Sequence, residues 1–133
     1  MIKKSLTILL ILLSGVFAGC GGGEGENETT SIPIQHWKDM DVRIEAHPNP
    51  PHAGMSEMVV IITGPRGRPI HDLLVSLRAD EKAQWVQAIQ DGYIGVYRRS
   101  VDIGSGDTAM LQVRLLRGNE QKVLLIPLKL AAD

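Results

Sequence analysis

From Met40 onward the chain alternates. Met40, Val42, Ile44 and Ala46 are apolar, and the residues between them, Asp41, Arg43 and Glu45, are charged. That period of two predicts a strand with one buried face. Pro48, Pro50 and Pro51 then interrupt it, because proline brings no N–H to a ladder. Ser56 to Thr63 contains Met58-Val59-Val60-Ile61-Ile62, a β-branched run suited to a strand buried on both faces. Gly64-Pro65-Arg66-Gly67-Arg68-Pro69 has the composition of a turn. Leu73, Val75, Leu77 and Ala79 alternate with Leu74, Ser76 and Arg78, which predicts another strand. Trp85 to Gln90 fits a strand or a helical turn. Asp91-Gly92 marks a turn, and Tyr93 to Ile103 reads as a strand containing Gly95. Tyr93 and Tyr97, four apart, are expected to share one face and pack over the sheet. After the loop Gly104-Ser105-Gly106-Asp107, the stretch Thr108–Arg117 puts Ala109, Leu111, Val113 and Leu115 on one face. Gly118-Asn119 suits a tight hairpin. Glu120 to Leu130 returns as the last strand, with Pro127 marking an edge or a bulge.

About seven short strands, with no long amphipathic helix, predict an all-β chain folded as an antiparallel β-sandwich. A small β-barrel is the alternative, since closure removes the sheet edges. No internal repeat is detectable.

The first residues follow a different pattern. Lys3 and Lys4 precede an apolar run from Leu6 to Ala18. It is shorter than the roughly 20 residues of a spanning helix, and it has the layout of a secretory signal peptide. Its end, Val16-Phe17-Ala18-Gly19-Cys20, resembles the lipobox of bacterial lipoproteins. The resemblance implies that Cys20 receives a diacylglycerol, becomes the N-terminus on cleavage and is N-acylated. Gly21 in place of Asp after the Cys points to sorting to the outer membrane, facing the periplasm. A plain signal peptide leaving a free Cys20 thiol, or an uncleaved signal anchor, are the other readings. Residues 20–38 are rich in Gly, Glu, Asn, Thr and Ser. They bury too little apolar surface to offset their ordering entropy, and read as a flexible tether with an r.m.s. reach of about 24 Å. The expected organisation is a signal peptide over 1–19, a tether over 20–38 and one domain over 39–133.

Composition narrows the function. The chain of 133 residues carries 14 basic and 15 acidic residues. Removing residues 1–19 takes away Lys3 and Lys4, leaving 12 against 15 and a net charge of −3. That balance gives no basic surface for nucleic acid or for anionic headgroups. Aromatic residues make up 4 %, so the core is aliphatic. A single Cys forms no internal disulfide and no multi-thiolate metal site.

The domain resembles the YtkA-like and FixH-like group of bacterial immunoglobulin-like domains over about 80 residues. The match rests on Pro48-Asn49-Pro50-Pro51-His52-Ala53-Gly54 before the strand Met58–Ile62, the corner Gly67-Arg68-Pro69-Ile70, the strand Gly95-Val96-Tyr97 and a closing hairpin from Thr108 to Leu130. It implies an immunoglobulin-like β-sandwich. It also implies either a lipid-anchored, non-catalytic envelope module that binds or assembles with another envelope protein, or an accessory protein that handles copper.

Motifs for phosphate-binding loops, nucleophile elbows and zinc proteases are absent, and no enzyme is expected. Ser105 between two glycines reads as a turn residue, and the neighbours Asp80 and Glu81 make a poor acid–base pair. The stretch with ligand chemistry runs from His47 to Met58. Imidazole and thioether together suit copper, especially Cu(I). On a polyproline II path His47 and His52 lie roughly 15 Å apart, so the closer set is His52, Met55 and Met58. The competing reading puts both methionines in the fold, Met58 opening a core strand and Met55 filling a gap. The anchor is the sharpest expectation. Cys20→Ser abolishes acylation and leaves an uncleaved precursor of higher mass. Palmitate incorporation equal to that of the unaltered chain contradicts it.

Overall fold

A computed structural model describes residues 31–106 and 108–131; the signal segment, Cys20 and the first part of the tether lie outside the described residues. The fold is an antiparallel β-sandwich of two sheets. Nine strands follow in chain order: β1 Gln35–Trp37, β2 Met40–His47, β3 Met55–Thr63, β4 Leu74–Arg78, β5 Val86–Gln87, β6 Ile89–Gln90, β7 Val96–Asp102, β8 Thr108–Arg117 and β9 Glu120–Lys129. One sheet has five strands in the order β1-β2-β3-β7-β6, and the other has four in the order β5-β4-β8-β9.

The alternation read from the sequence sets the faces. On β2 every even-numbered residue is buried and every odd-numbered one exposed. On β8, Leu111, Val113 and Leu115 are buried, and opposite them on β9 so are Leu124, Ile126 and Leu128. These inward positions meet those of β3, β4 and β7 in one aliphatic core, to which Tyr97 adds the single buried aromatic ring among the described residues. Burying a Leu or Ile side chain contributes roughly 1.5–3 kcal/mol, so the cohesion comes from many comparable terms.

Three features differ from the sequence expectation. Residues 35–37, assigned by composition to the tether, form β1 against β2, because His36 and Trp37 follow the polar run and Trp37 packs on the core. Trp85–Gln90 is neither one strand nor a helical turn. β5 pairs with β4 and β6 pairs with β7, so the chain changes sheets at Ala88, whose N–H bonds the Val75 carbonyl at 2.8 Å. The described residues therefore form nine strands rather than about seven. Finally, the central strand β3 is buried on both faces only at Met58–Val60, and Ile61 is half-buried. Pro127 lies on β9, an edge strand, as expected. The two-residue hairpin makes Arg117 and Glu120 a hydrogen-bonded pair. Bonded pairs alternate from there, so Pro127 faces the free edge and no ladder bond is lost.

Gly95 locks the register where β3, the Pro65–Gly67 turn and β7 meet. Its φ is +75°, and its carbonyl accepts the Ile62 N–H at 2.8 Å. A Cβ there would lie 2.5 Å from the Ile62 carbonyl oxygen and 3.0 Å from the Ile70 nitrogen. Gly92 also has a positive φ, +63°, but nothing lies within 4 Å of its Cβ position. Gly92→Ala therefore costs only the left-handed backbone penalty, about 1–2 kcal/mol. Gly95→Ala adds a backbone clash and costs clearly more, out of a total of roughly 5–15. Urea unfolding of the two variants measures the difference, and equal midpoints contradict the close approach.

Candidate functional site

The two sheets present unlike outward faces. On the five-stranded sheet the outward positions include Asp41, Arg43, Glu45 and His47 of β2, Glu57 of β3, and Arg98 and Ser100 of β7. Opposite charges meet there. His36 Nδ1 lies 2.7 Å from Asp41, and Arg98 reaches Asp91 at 3.0 Å and Glu57 at 3.3 Å. The hydrogen bond to Asp91 raises the pKa of the Arg98 guanidinium. Several charges on this face are compensated locally, while Arg43 has no ion pair among the described residues, and Met55 and Ile89 are exposed on the same face.

The four-stranded sheet turns Leu74, Ser76 and Arg78 outward on β4, and Met110, Gln112, Arg114 and Leu116 on β8. On β9 the outward residues are Gln121, Val123, Leu125, Pro127 and Lys129. Leu125 is 57 % exposed, Leu74 51 % and Met110 43 %. The outward strand positions of this face carry no acidic side chain; Asp80, Glu81 and Asp102 line a groove at its margin beside Met110 and Gln112.

Trp85, just before β5, lies over the middle of this face. The guanidinium carbons of Arg78 and Arg114 are 4.3 and 4.6 Å from its ring centroid, within the range of cation–π attraction. Arg78 also donates through Nε to Gln112 Oε1 at 2.8 Å and through an Nη to the Glu81 carbonyl at 3.1 Å. It thereby ties the Asp80–Ala83 turn to β8. Arg114 has neither a side-chain hydrogen bond nor an ion pair among the described residues. Ser76 and Gln112 are buried although they point outward, as expected beside a bulky stack. Periodicity could not place this cluster. Arg78, Trp85 and Arg114 are brought together by the register Ser76↔Arg114 and Arg78↔Gln112, and register is a long-range property.

The candidate copper ligands are not brought together. Met58 is fully buried and faces the core, whereas Met55, three residues earlier on the same strand, points outward and is 65 % exposed. An odd spacing on a strand separates two side chains by the thickness of the sheet. His52 is exposed in the Pro-rich link, which contains cis bonds at His47–Pro48 and Asn49–Pro50. The backbone of the link is used in the fold. The His52 carbonyl accepts the Ser56 hydroxyl, Gly54 exchanges bonds with Ile103 and Gly104, and the Pro51 carbonyl accepts the Ala131 N–H. Met55, expected to fill a core gap under the structural reading, does not do so. No group of three or more His, Cys, Asp or Glu side chains among the described residues is placed to hold a metal ion.

Other titratable groups serve local structure. Asp80 caps the Lys82 N–H and Asp102 the Gly104 N–H, each at 2.9 Å. Tyr97 is buried and donates its hydroxyl to the Ile70 carbonyl at 3.0 Å, and burial raises the pKa of its phenol. Tyr93 does not join it on the sheet. It lies before β7, is 79 % exposed, and meets the His71 ring edge-on at 5.5 Å, because Gly95 turns the chain between the two tyrosines.

No protein-family model matches the chain, and no curated protein is significantly similar to it. Among solved structures, the chain resembles a DUF4426 family protein from Pseudomonas aeruginosa PAO1. The TM-score is 0.50 and the identity 11 %, over 76 % of this chain and 98 % of that one. At that identity the likeness bears on the fold alone, and it agrees with the sandwich.

The Arg78 contacts predict a measurable coupling. In a Trp37→Phe background Trp85 is the sole tryptophan. Arg78→Ala then shifts Trp85 emission to the red and lowers stability by about 1.5–3 kcal/mol, the range for hydrogen bonds from a charged donor. An unchanged spectrum and unfolding midpoint contradict the assigned stack.

Proposed function

We propose that the protein is a lipid-anchored, non-catalytic module of the cell envelope, held by acylated Cys20 at the outer membrane and facing the periplasm. It docks another envelope protein through the outward face of its four-stranded sheet. The observation that carries this reading is the cluster of Trp85, Arg78 and Arg114 on that face, bordered by exposed Leu74, Met110, Val123 and Leu125. Exposed apolar patches on otherwise polar domains mark interaction surfaces, and Trp and Arg dominate the energetics of interfaces.

The anchor geometry supports the same reading. The described chain begins at Ser31, in a groove shared with Pro51, Thr108, Pro127 and Lys129. The tether therefore meets the sandwich at the Lys129 end of β9. The ten-residue strands β8 and β9 extend about 33 Å from there, so the attachment occupies the Pro127–Lys129 end of the sheet face and leaves the part around Arg114 and Val123 open. Of the three acids that line the open groove beside Met110, Asp80 and Asp102 are committed to turn caps, and Glu81 is not.

Photo-crosslinking in intact cells tests the proposal. Benzoylphenylalanine in place of Leu125 gives a discrete adduct with a second protein, while the same probe in place of Arg43, on the charged face, gives none. Adducts from Arg43 alone, or from neither position, contradict it.

A further inference from the structure

We infer that the partner presents an acidic, strand-like segment, with a carboxylate seated on Arg114 beside the Trp85 ring. This inference rests on the docking face proposed above and specifies its chemistry.

The first support is charge. The outward strand positions of the four-stranded sheet carry Arg78, Arg114 and Lys129 and no Asp or Glu, and the acids near the face, Asp80, Glu81 and Asp102, lie at its margin in the groove beside Met110. The chain as a whole is acidic, and on the opposite face each described interaction of Arg98 and His36 is with a carboxylate. The two guanidinium groups against Trp85 share one ring without a counter-charge from any described residue. An anion beside them would supply the counter-charge that the described residues do not. Arg78 spends donors on Gln112 and Glu81. Arg114 keeps its planar fork of five N–H donors free among the described residues, and that fork matches a carboxylate in bidentate geometry.

The second support is shape. Val123 and Leu125 flank Arg114 and Gln112 in register, and Met110 stands opposite Pro127. The apolar row therefore runs along β8 and β9 with the strands, at the two-residue spacing of an extended chain. A segment with apolar and acidic side chains in alternation fits both the row and the cation. A phosphate-rich membrane surface fits less well. The face is flat and largely apolar, and the net charge of −3 expected after processing opposes approach to anionic lipid.

The test extends the crosslinking to the chemistry of the adduct. With benzoylphenylalanine at Leu125 in the full chain, the crosslinked peptide of the second protein is identified by mass spectrometry. It is expected to contain Asp or Glu within about three residues of the crosslinked position. Arg114→Gln should lower the adduct yield at least fivefold while the domain stays folded, because Arg114 makes no hydrogen bond or ion pair among the described residues and loses only its contact with the Trp85 ring. Arg114→Lys should retain part of the yield. An adduct whose peptide lacks acidic residues overturns the inference while leaving the docking face intact, as does a yield unchanged by Arg114→Gln. An adduct with the Glu24–Glu28 stretch of the same chain overturns it in favour of an intramolecular occupant. Absence of any protein adduct removes the docking face and the inference together.

Discussion

The structure depends on one constraint, the parity of the strands. With 4 % aromatic residues and one Cys, the chain has no disulfide and few large rings with which to correct a misplaced strand. Its core is built from medium-sized aliphatic side chains at alternate positions of facing strands. A slip of one residue on β8 would exchange Leu111, Val113 and Leu115 for Gln112, Arg114 and Leu116, burying a guanidinium in the process. Register must therefore be pinned by local devices. The close approach of Gly95 to Ile62 and Ile70 fixes β3 against β7. The Gly118-Asn119 turn, with positive φ at Gly118, fixes β8 against β9. The Tyr97 hydroxyl ties the middle of the five-stranded sheet to the Ile70 carbonyl at its rim.

The same parity decides what the outside looks like. Once the even-numbered positions of β9 are committed to the core, Val123, Leu125 and Pro127 must face outward with Met110 of β8. The core does not require them to be apolar. The outward positions of β2 in the other sheet, Asp41, Arg43 and Glu45, are all charged. The free edge of β9 is also managed. Pro127 removes a donor from it, and Lys122 and Lys129 add charge, features that discourage indiscriminate edge pairing. The outcome is a face suited to side-chain contact more than to open-ended strand addition.

Much of this was legible from the residues. The β2 alternation, the bounds of β8, the hairpin at Gly118 and the edge placement of Pro127 follow from local pattern and agree with the structure. The departures occur where long-range pairing overrides local signals. Two-residue strands such as β5 and β6 carry no periodicity of their own, and only the sheets they join define them. β1 was hidden because three residues at the end of a polar tract have no pattern before β2 pairs with them. Met55 and Met58 are three apart in sequence, yet strand parity sends them to opposite sides of the sheet. The Trp85 cluster draws on residues from three separated segments, so it exists only in the folded register.

Hydroxyl-radical footprinting of the full chain, purified and in its native envelope, tests the division of labour between the faces most directly. In the purified protein Met55, Met110, Leu125 and Tyr93 should be modified readily, while Met40, Met58 and Leu111 stay protected. In the envelope Met110, Leu125 and Trp85 should become protected, with Met55 and Tyr93 unchanged. Protection that falls instead on Met55 and Tyr93, or identical patterns in the two settings, would contradict the account.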